Sequence, residues 1–150
     1  MKVDISQIDS GEEQIVLRYL EKTPRIQRII DAIEYGHRRI PAKIDNETIM
    51  INPEEILYIE SVDDRVFAYL KTEVVRLEGS LSGVLTDLSD DRFFRCSKSM
   101  ILNIEKVERL KSMSSNRIDA TMEGGEHILI SRTYASDFRR VLKGGRGHER

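Results

Sequence analysis

The sequence holds one cysteine, Cys96, in 150 residues, which excludes an internal disulfide and any cysteine-rich zinc centre. Its histidines, His37, His127 and His148, show no metal-ligand spacing. No stretch approaches the roughly 18 consecutive apolar residues of a membrane span. The opening MKVDISQIDSGEEQ lacks the apolar run of a signal peptide, and internal repeats and low-complexity segments are missing. These gaps lead to the expectation of a cytoplasmic domain that folds without disulfide, metal or cofactor. With 39% hydrophobic and 33% charged residues, the chain is long enough and apolar enough to bury its own core.

Enzymatic readings fail on local chemistry. Cys96 lies between Arg95 and Ser97 with no base in a recognisable arrangement, so it reads as a small packing residue. Ser97-Lys98-Ser99 lacks the Ser-x-x-Lys spacing of acyl-transfer enzymes. Asp63-Asp64 and Asp90-Asp91 occupy turns, where Asp is ordinary turn chemistry. No helix follows the glycines of EGGEH, so that loop cannot cradle a phosphate. The chain is therefore expected to bind rather than to catalyse.

The net charge of -2 conceals segregation. Residues 37–91 hold 6 Lys/Arg against 12 Asp/Glu, whereas 92–117 hold 7 against 2 and 132–150 hold 6 against 2. Two basic blocks on a weakly acidic chain can form a face that steers a polyanion, or simply two solvated surfaces.

Residues 1–36 read as a unit of their own. KVDISQI and QIVLRYL alternate around DSGEE as a hairpin. Thr23 and Pro24 then start a helix with Ile26, Ile29, Ile30 and Ile33 on one face, ended by Gly36. From Ile40 onward the pattern is β structure. Asp45-Asn46 and VDDR mark turns, Asn52-Pro53 opens a short helix with Glu54 and Glu55 in its first turn, and SLSGVLTDLS is amphipathic. RIDATME-GG-EHILIS reads as a hairpin with Gly124 and Gly125 at positive φ in a two-residue turn. A last helix is expected over Thr133–Leu142, then a frayed basic tail, 146–150.

One stretch stands out: RFFRCSKSMILNIEKVERL, residues 92–110. Its apolar content is that of a core strand, yet Ser97, Lys98 and Ser99 interrupt it with a cation and two hydroxyls. A helix-turn-helix cannot explain it, because DRFFRC has consecutive aromatics and no second amphipathic helix follows. Any DNA reading must come from loops between strands.

The run F-F-R-C-S-K-S-M-I-L-N-I-E-K-V from Phe93 to Val107, ILYIES from Ile56 to Ser61, and I-S-R-T-Y from Ile130 to Tyr134 resemble the LytTR family of bacterial DNA-binding domains over about residues 39–142. The first 36 residues look like the start of stand-alone members, which lack a receiver domain. The resemblance implies a mainly β fold, elongated antiparallel β-sheets with short helices, here preceded by an N-terminal β-hairpin plus helix. It also implies three loops along one edge of the duplex, reaching successive major grooves. On the same footing Lys98 is the contact of the central loop, Arg132 that of the third, and Arg65 that of the first. Ser97 and Ser99 flank Lys98, and Arg95 and Asn103 match the two ends of the motif. Many relatives have histidine where Ser97 stands, and the hydroxyl is shorter. Competing structural roles are pairing of Arg132 with Asp137 or Glu126, of Arg65 with Asp63 or Asp64, and of Asn103 with the loop backbone.

The expected organisation is therefore a dimerisation element over 1–36, a DNA-binding domain over 37–145 and the tail. The expected partners are double-stranded DNA with repeated half-sites and a second copy of the chain, with a membrane-protein or other regulatory partner left open. The competing reading is a protein-interaction module that works through residues 1–36.

Overall fold

The computed structural model describes residues 1–35, 38–88 and 91–145. Gly36, His37, Asp90 and the expected tail 146–150 lie outside the described residues.

The first helix, α1 (Pro24–Tyr35), forms as its sequence predicts. Thr23 Oγ1 accepts from the Ile26 amide at 3.2 Å, and Pro24 fills a position whose amide would go unpaired anyway. Ile26 is buried on its apolar face, with Ile29 and Ile30 half-buried. Arg28 Nη1 lies 3.5 Å from Asp91 Oδ2 and ties the helix to the remainder of the chain.

Ahead of α1 the expected hairpin is absent: residues 1–23 form no strand. Apolar alternation makes a strand only where a surface waits to be covered, and an isolated two-stranded ribbon is marginal in water. Here Ile5 is 91% exposed and Leu20 108%, so pairing would bury almost nothing.

The β structure begins with β1 (Ile40–Ile44) and β2 (Glu47–Ile51), joined at Asp45-Asn46, with Asp45 at φ 54°. β3 (Tyr58–Val62) and β4 (Arg65–Tyr69) turn at Asp63 and Asp64, whose φ values of 50° and 62° give the twist a two-residue hairpin requires. β5 (Val74–Leu77) is followed by α2 (Leu81–Leu88), where Ser80 Oγ accepts from the Gly83 amide at 3.1 Å. β6 (Phe93–Arg95) and β7 (Met100–Asn103) complete a seven-stranded antiparallel sheet of order β2-β1-β5-β4-β3-β7-β6.

β8 (Val107–Met113), β9 (Arg117–Met122) and β10 (His127–Ile130) form a second, three-stranded sheet. The Gly124-Gly125 turn differs from expectation, because four residues separate β9 from β10 and only Gly125 has positive φ, at 94°. The Gly125 amide donates to the Met122 carbonyl at 2.8 Å, a closure that needs one left-handed residue rather than two. The last helix, α3, runs Arg132–Arg140 and passes into a wider turn over Val141–Gly145.

Two cores result. Ile59, Val66, Ala68, Val75, Leu77, Phe93 and Ile101 line one face of the large sheet under Leu81 and Val84 of α2. On the other face, Leu102, Tyr58 and Phe94 join Ile118, Ala120, Met122, Ile128 and Ile130 of the small sheet and Phe138 of α3. Strands β6 and β7 thus bury both faces, which is why FF and MIL run without alternation.

Phe138 is fully buried, edge-on to Phe94 with ring centroids 5.2 Å apart. Phe138→Ala is expected to lower stability by about 3–5 kcal/mol, seen as a fall in urea midpoint at unchanged m-value. A loss below about 1 kcal/mol would contradict the anchoring of α3 in this core.

Candidate nucleic-acid interface

The interrupted apolar stretch is the connection between β6 and β7. Arg95 pairs with Ile101 across the two strands, and residues 96–99 turn the chain. The Cys96 and Ser97 amides both donate to the Met100 carbonyl, at 3.0 and 3.3 Å. The Ser99 amide donates to Ser97 Oγ at 3.3 Å, so the turn is closed by its own residues.

Arg95 holds this loop from inside. Its Nε donates to the Ser97 carbonyl at 2.8 Å, Nη2 to the Lys98 carbonyl at 2.5 Å, and Nη1 to Ser82 Oγ of α2 at 3.1 Å. Three of the five guanidinium donors are thereby engaged, and the residue serves as a clamp rather than as the outward contact its motif position suggested. Asn103 departs further from that expectation. It is 0% exposed; Nδ2 donates to the Ile56 carbonyl at 2.8 Å, and Oδ1 accepts from the Glu105 amide at 3.0 Å. A buried amide satisfied in this way fixes the strand and cannot meet a ligand. Asn103 thus takes the backbone-bonding role that its sequence position also allowed.

Two backbone bonds set the loop among its neighbours. The Ser61 amide, near the end of β3, donates to the Ser99 carbonyl at 2.8 Å, and the Ser131 amide, just before α3, donates to the Cys96 carbonyl at 3.0 Å. The Asp63-Asp64 turn, the 97–99 loop and the start of α3 consequently lie side by side, with the central loop bonded to both flanks. Each brings one cation: Arg65, Lys98 and Arg132. All three are exposed, and none makes a side-chain hydrogen bond or ion pair with the described residues. The pairing of Arg132 with Asp137 does not form, since Asp137 takes Arg140. Some other cations of the basic blocks are engaged: Lys106 lies 3.8 Å from Glu123, and Arg117 Nε donates to the Ser114 carbonyl at 3.1 Å, whereas Arg109, Lys111 and Lys143 are exposed and also lack a partner among the described residues.

The three loops are not equivalent. Asp63 and Asp64 are exposed beside Arg65, so that turn is net negative and repels phosphate. The central loop and the α3 start hold no carboxylate from residue 96 to 99 or at 131–132. Ser131 caps α3 with its backbone alone, its hydroxyl making no cap bond, and the amino end of a helix is a favourable place for an anion. Ser97 is half-buried, and its hydroxyl already accepts within the turn. Ser99 is exposed. Sequence inspection missed Ser61, Ser82 and Ser131. The two backbone bonds have no side-chain signature, and nothing near Ser82 announces that Arg95 reaches it.

The LytTr DNA-binding domain family model matches residues 46–143. The chain belongs to this family. A solved LytTr DNA-binding domain from Bacillus cereus superimposes with a TM-score of 0.66 at 24% identity, covering 69% of this chain and 95% of that one, which establishes the shared fold. The sensory transduction protein LytT of Enterococcus faecalis is 25% identical over 104 residues, 69% of this chain and 43% of that protein. Accessory gene regulator protein A of Staphylococcus aureus is 30% identical over 99 residues, 57% of this chain and 41% of that protein. The chain thus spans less than half the length of these two relatives. The mainly antiparallel β-fold with short helices expected from the resemblance is that of the LytTr domain, apart from the missing N-terminal hairpin.

Cys96 sits under the LytTr central loop, 0% exposed, and burial pushes its thiol pKa up to about 12, against smaller opposing effects of a backbone hydrogen bond and then of the Arg95 charge. Unfolded, the thiol titrates near 8.5. Between those values the folded chain keeps a proton that the unfolded chain releases, so stability is full below about pH 8.5 and falls as pH rises towards 12. Cys96→Ala should flatten part of that fall in urea titrations from pH 8 to 10. Identical pH slopes for the two proteins would show that the thiol is not shielded.

Proposed function

We propose that this chain is a sequence-specific transcriptional regulator that reads the major groove of duplex DNA from loops between β-strands. The observation that carries this reading is the row of three unpartnered, exposed cations held on adjacent loops by the Ser61–Ser99 and Ser131–Cys96 backbone bonds. An exposed Arg or Lys with a free head group has no internal ion pair to break before it meets phosphate or a guanine edge. Fixing two of them on hydrogen-bonded loops removes much of the ordering cost at the moment of binding.

Lys98 and Arg132 are the principal contacts, Ser99 a supporting one, and Arg65 and Ser97 secondary because of the flanking carboxylates and the internally used hydroxyl. Arg95 acts through the loop it clamps. Arg132 has the fork geometry for guanine O6 and N7, and Lys98 suits phosphate as a point charge. DNA-binding relatives named as regulators support a promoter target, and two copies on repeated half-sites would give the protein its full affinity.

Lys98→Ala should weaken binding to preferred and random duplexes alike and lower the salt slope by about 0.9. Arg132→Ala should cost about 1–3 kcal/mol on the preferred sequence, selected from a random duplex pool, and little on random DNA. Arg76→Ala, on β5 away from the three loops, is the control. Near-zero losses for both Lys98→Ala and Arg132→Ala in titrations at several salt concentrations would overturn the assignment, and binding indifferent to salt would favour the protein-interaction reading.

A further inference from the structure

The tip of the central loop hangs on one side chain. The two ends of the loop are tied to its neighbours by backbone bonds, the Cys96 carbonyl to the Ser131 amide and the Ser99 carbonyl to the Ser61 amide. Between them, the Ser97 and Lys98 carbonyls both accept from Arg95, from Nε at 2.8 Å and from Nη2 at 2.5 Å. Nε and Nη2 lie along one edge of the planar guanidinium, and Nη1 is its far corner. The bonds along the edge fasten Arg95 to the loop, but they leave both free to tilt together. The bond at the far corner, from Nη1 to Ser82 Oγ at 3.1 Å, ties the pair to another element of the fold.

Ser82 is well placed for that task. It lies in the first turn of α2, whose Leu81 and Val84 are buried in the core under the large sheet, and the Ser80 hydroxyl closes the same turn on the Gly83 amide. Ser82 is itself exposed, so its side chain has no packing duty, and alanine suits an exposed helical position at least as well as serine. What the hydroxyl adds is a fixed acceptor for Arg95.

We propose that Ser82 is a positioning residue for the DNA contact: by holding the far corner of Arg95 it fixes the loop tip that presents Lys98. Given the DNA reading proposed above, on which this rests, α2 contributes to affinity although it lies outside the three loops. Without the Ser82 bond the tip must be ordered at the moment of binding, at a cost in affinity.

Ser82→Ala should weaken binding to the selected duplex roughly three- to tenfold, the range of one lost hydrogen bond, with a urea midpoint no lower than that of the native chain. Ser82→Thr keeps a hydroxyl and should restore most of the affinity. Introduced into Lys98→Ala, the same alanine should cost little more, because its effect runs through that lysine, and a double-mutant cycle reads the coupling. In the free protein, with no DNA present, Ser82→Ala should shift the Lys98 amide resonance and speed exchange of the Arg95 Nε proton. Native-like binding by Ser82→Ala, or tighter binding because a freed Arg95 meets phosphate itself, would overturn the proposal. So would an equal loss with and without Lys98, or a failure of Ser82→Thr to restore affinity. In each of these cases the native chain still binds duplex in a salt-dependent way, whereas a native chain that ignores duplex overturns the DNA reading and this role of Ser82 together.

Discussion

The short strand β7 is shared by both cores. In β7, Ile101 faces the core beneath α2 while its neighbour Leu102 faces the core of the small sheet and α3. Because successive side chains in a strand point to opposite faces, no other arrangement could let four residues serve two cores. The loop that enters this strand inherits the fixity of both. Its carbonyls accept from Ser61 on one side and Ser131 on the other, and Arg95 reaches from within to α2. The position of Lys98 is thus set by the interior, through its carbonyl on Arg95, although its side chain makes no hydrogen bond or ion pair with the described residues.

The same constraint explains why the interface tolerates local charge imbalance. Lysine and arginine side chains without partners contribute little to stability, and surface ion pairs would add little more. The burial of Phe138, Ile101 and Leu102 holds the loops instead, so the exposed cations are free of structural duty. Asn103 marks the boundary between the two roles. Its amide satisfies the Ile56 carbonyl and the Glu105 amide inside the protein, and it secures the far end of the strand whose near end presents the loop.

Much of this was legible in the sequence where turn chemistry is explicit. Asp45-Asn46 and Asp63-Asp64 announced hairpins because few residues tolerate positive φ, and Thr23-Pro24 announced a helix start by its capping chemistry. The stretch around Lys98 was legible as an interruption because a cation and two hydroxyls break an otherwise buried run. Other features were hidden for physical reasons. Alternation in KVDISQI and QIVLRYL suggested strands, but pairing needs a surface to cover, and a sequence pattern does not say whether one is present in the same chain. Arg95 and Asn103 sit within the motif as polar residues that could face either way, and only burial and partners separate a clamp and a buried anchor from a contact. The bonds from Ser61 and Ser131 run between backbone atoms, which every residue has.

The central claim is that the turn at 63–64, the 97–99 loop and the start of α3 act as one surface towards duplex DNA. Amide chemical-shift mapping by NMR during titration with a selected duplex tests it most directly. The account predicts that amides at 63–66, 97–99 and 131–133 respond together, with one stoichiometry and one midpoint, while those on the exposed face of β1 and β5 around Lys43 and Arg76 stay still. Responses confined to one of the three loops, or centred on β1 and β5, would contradict it.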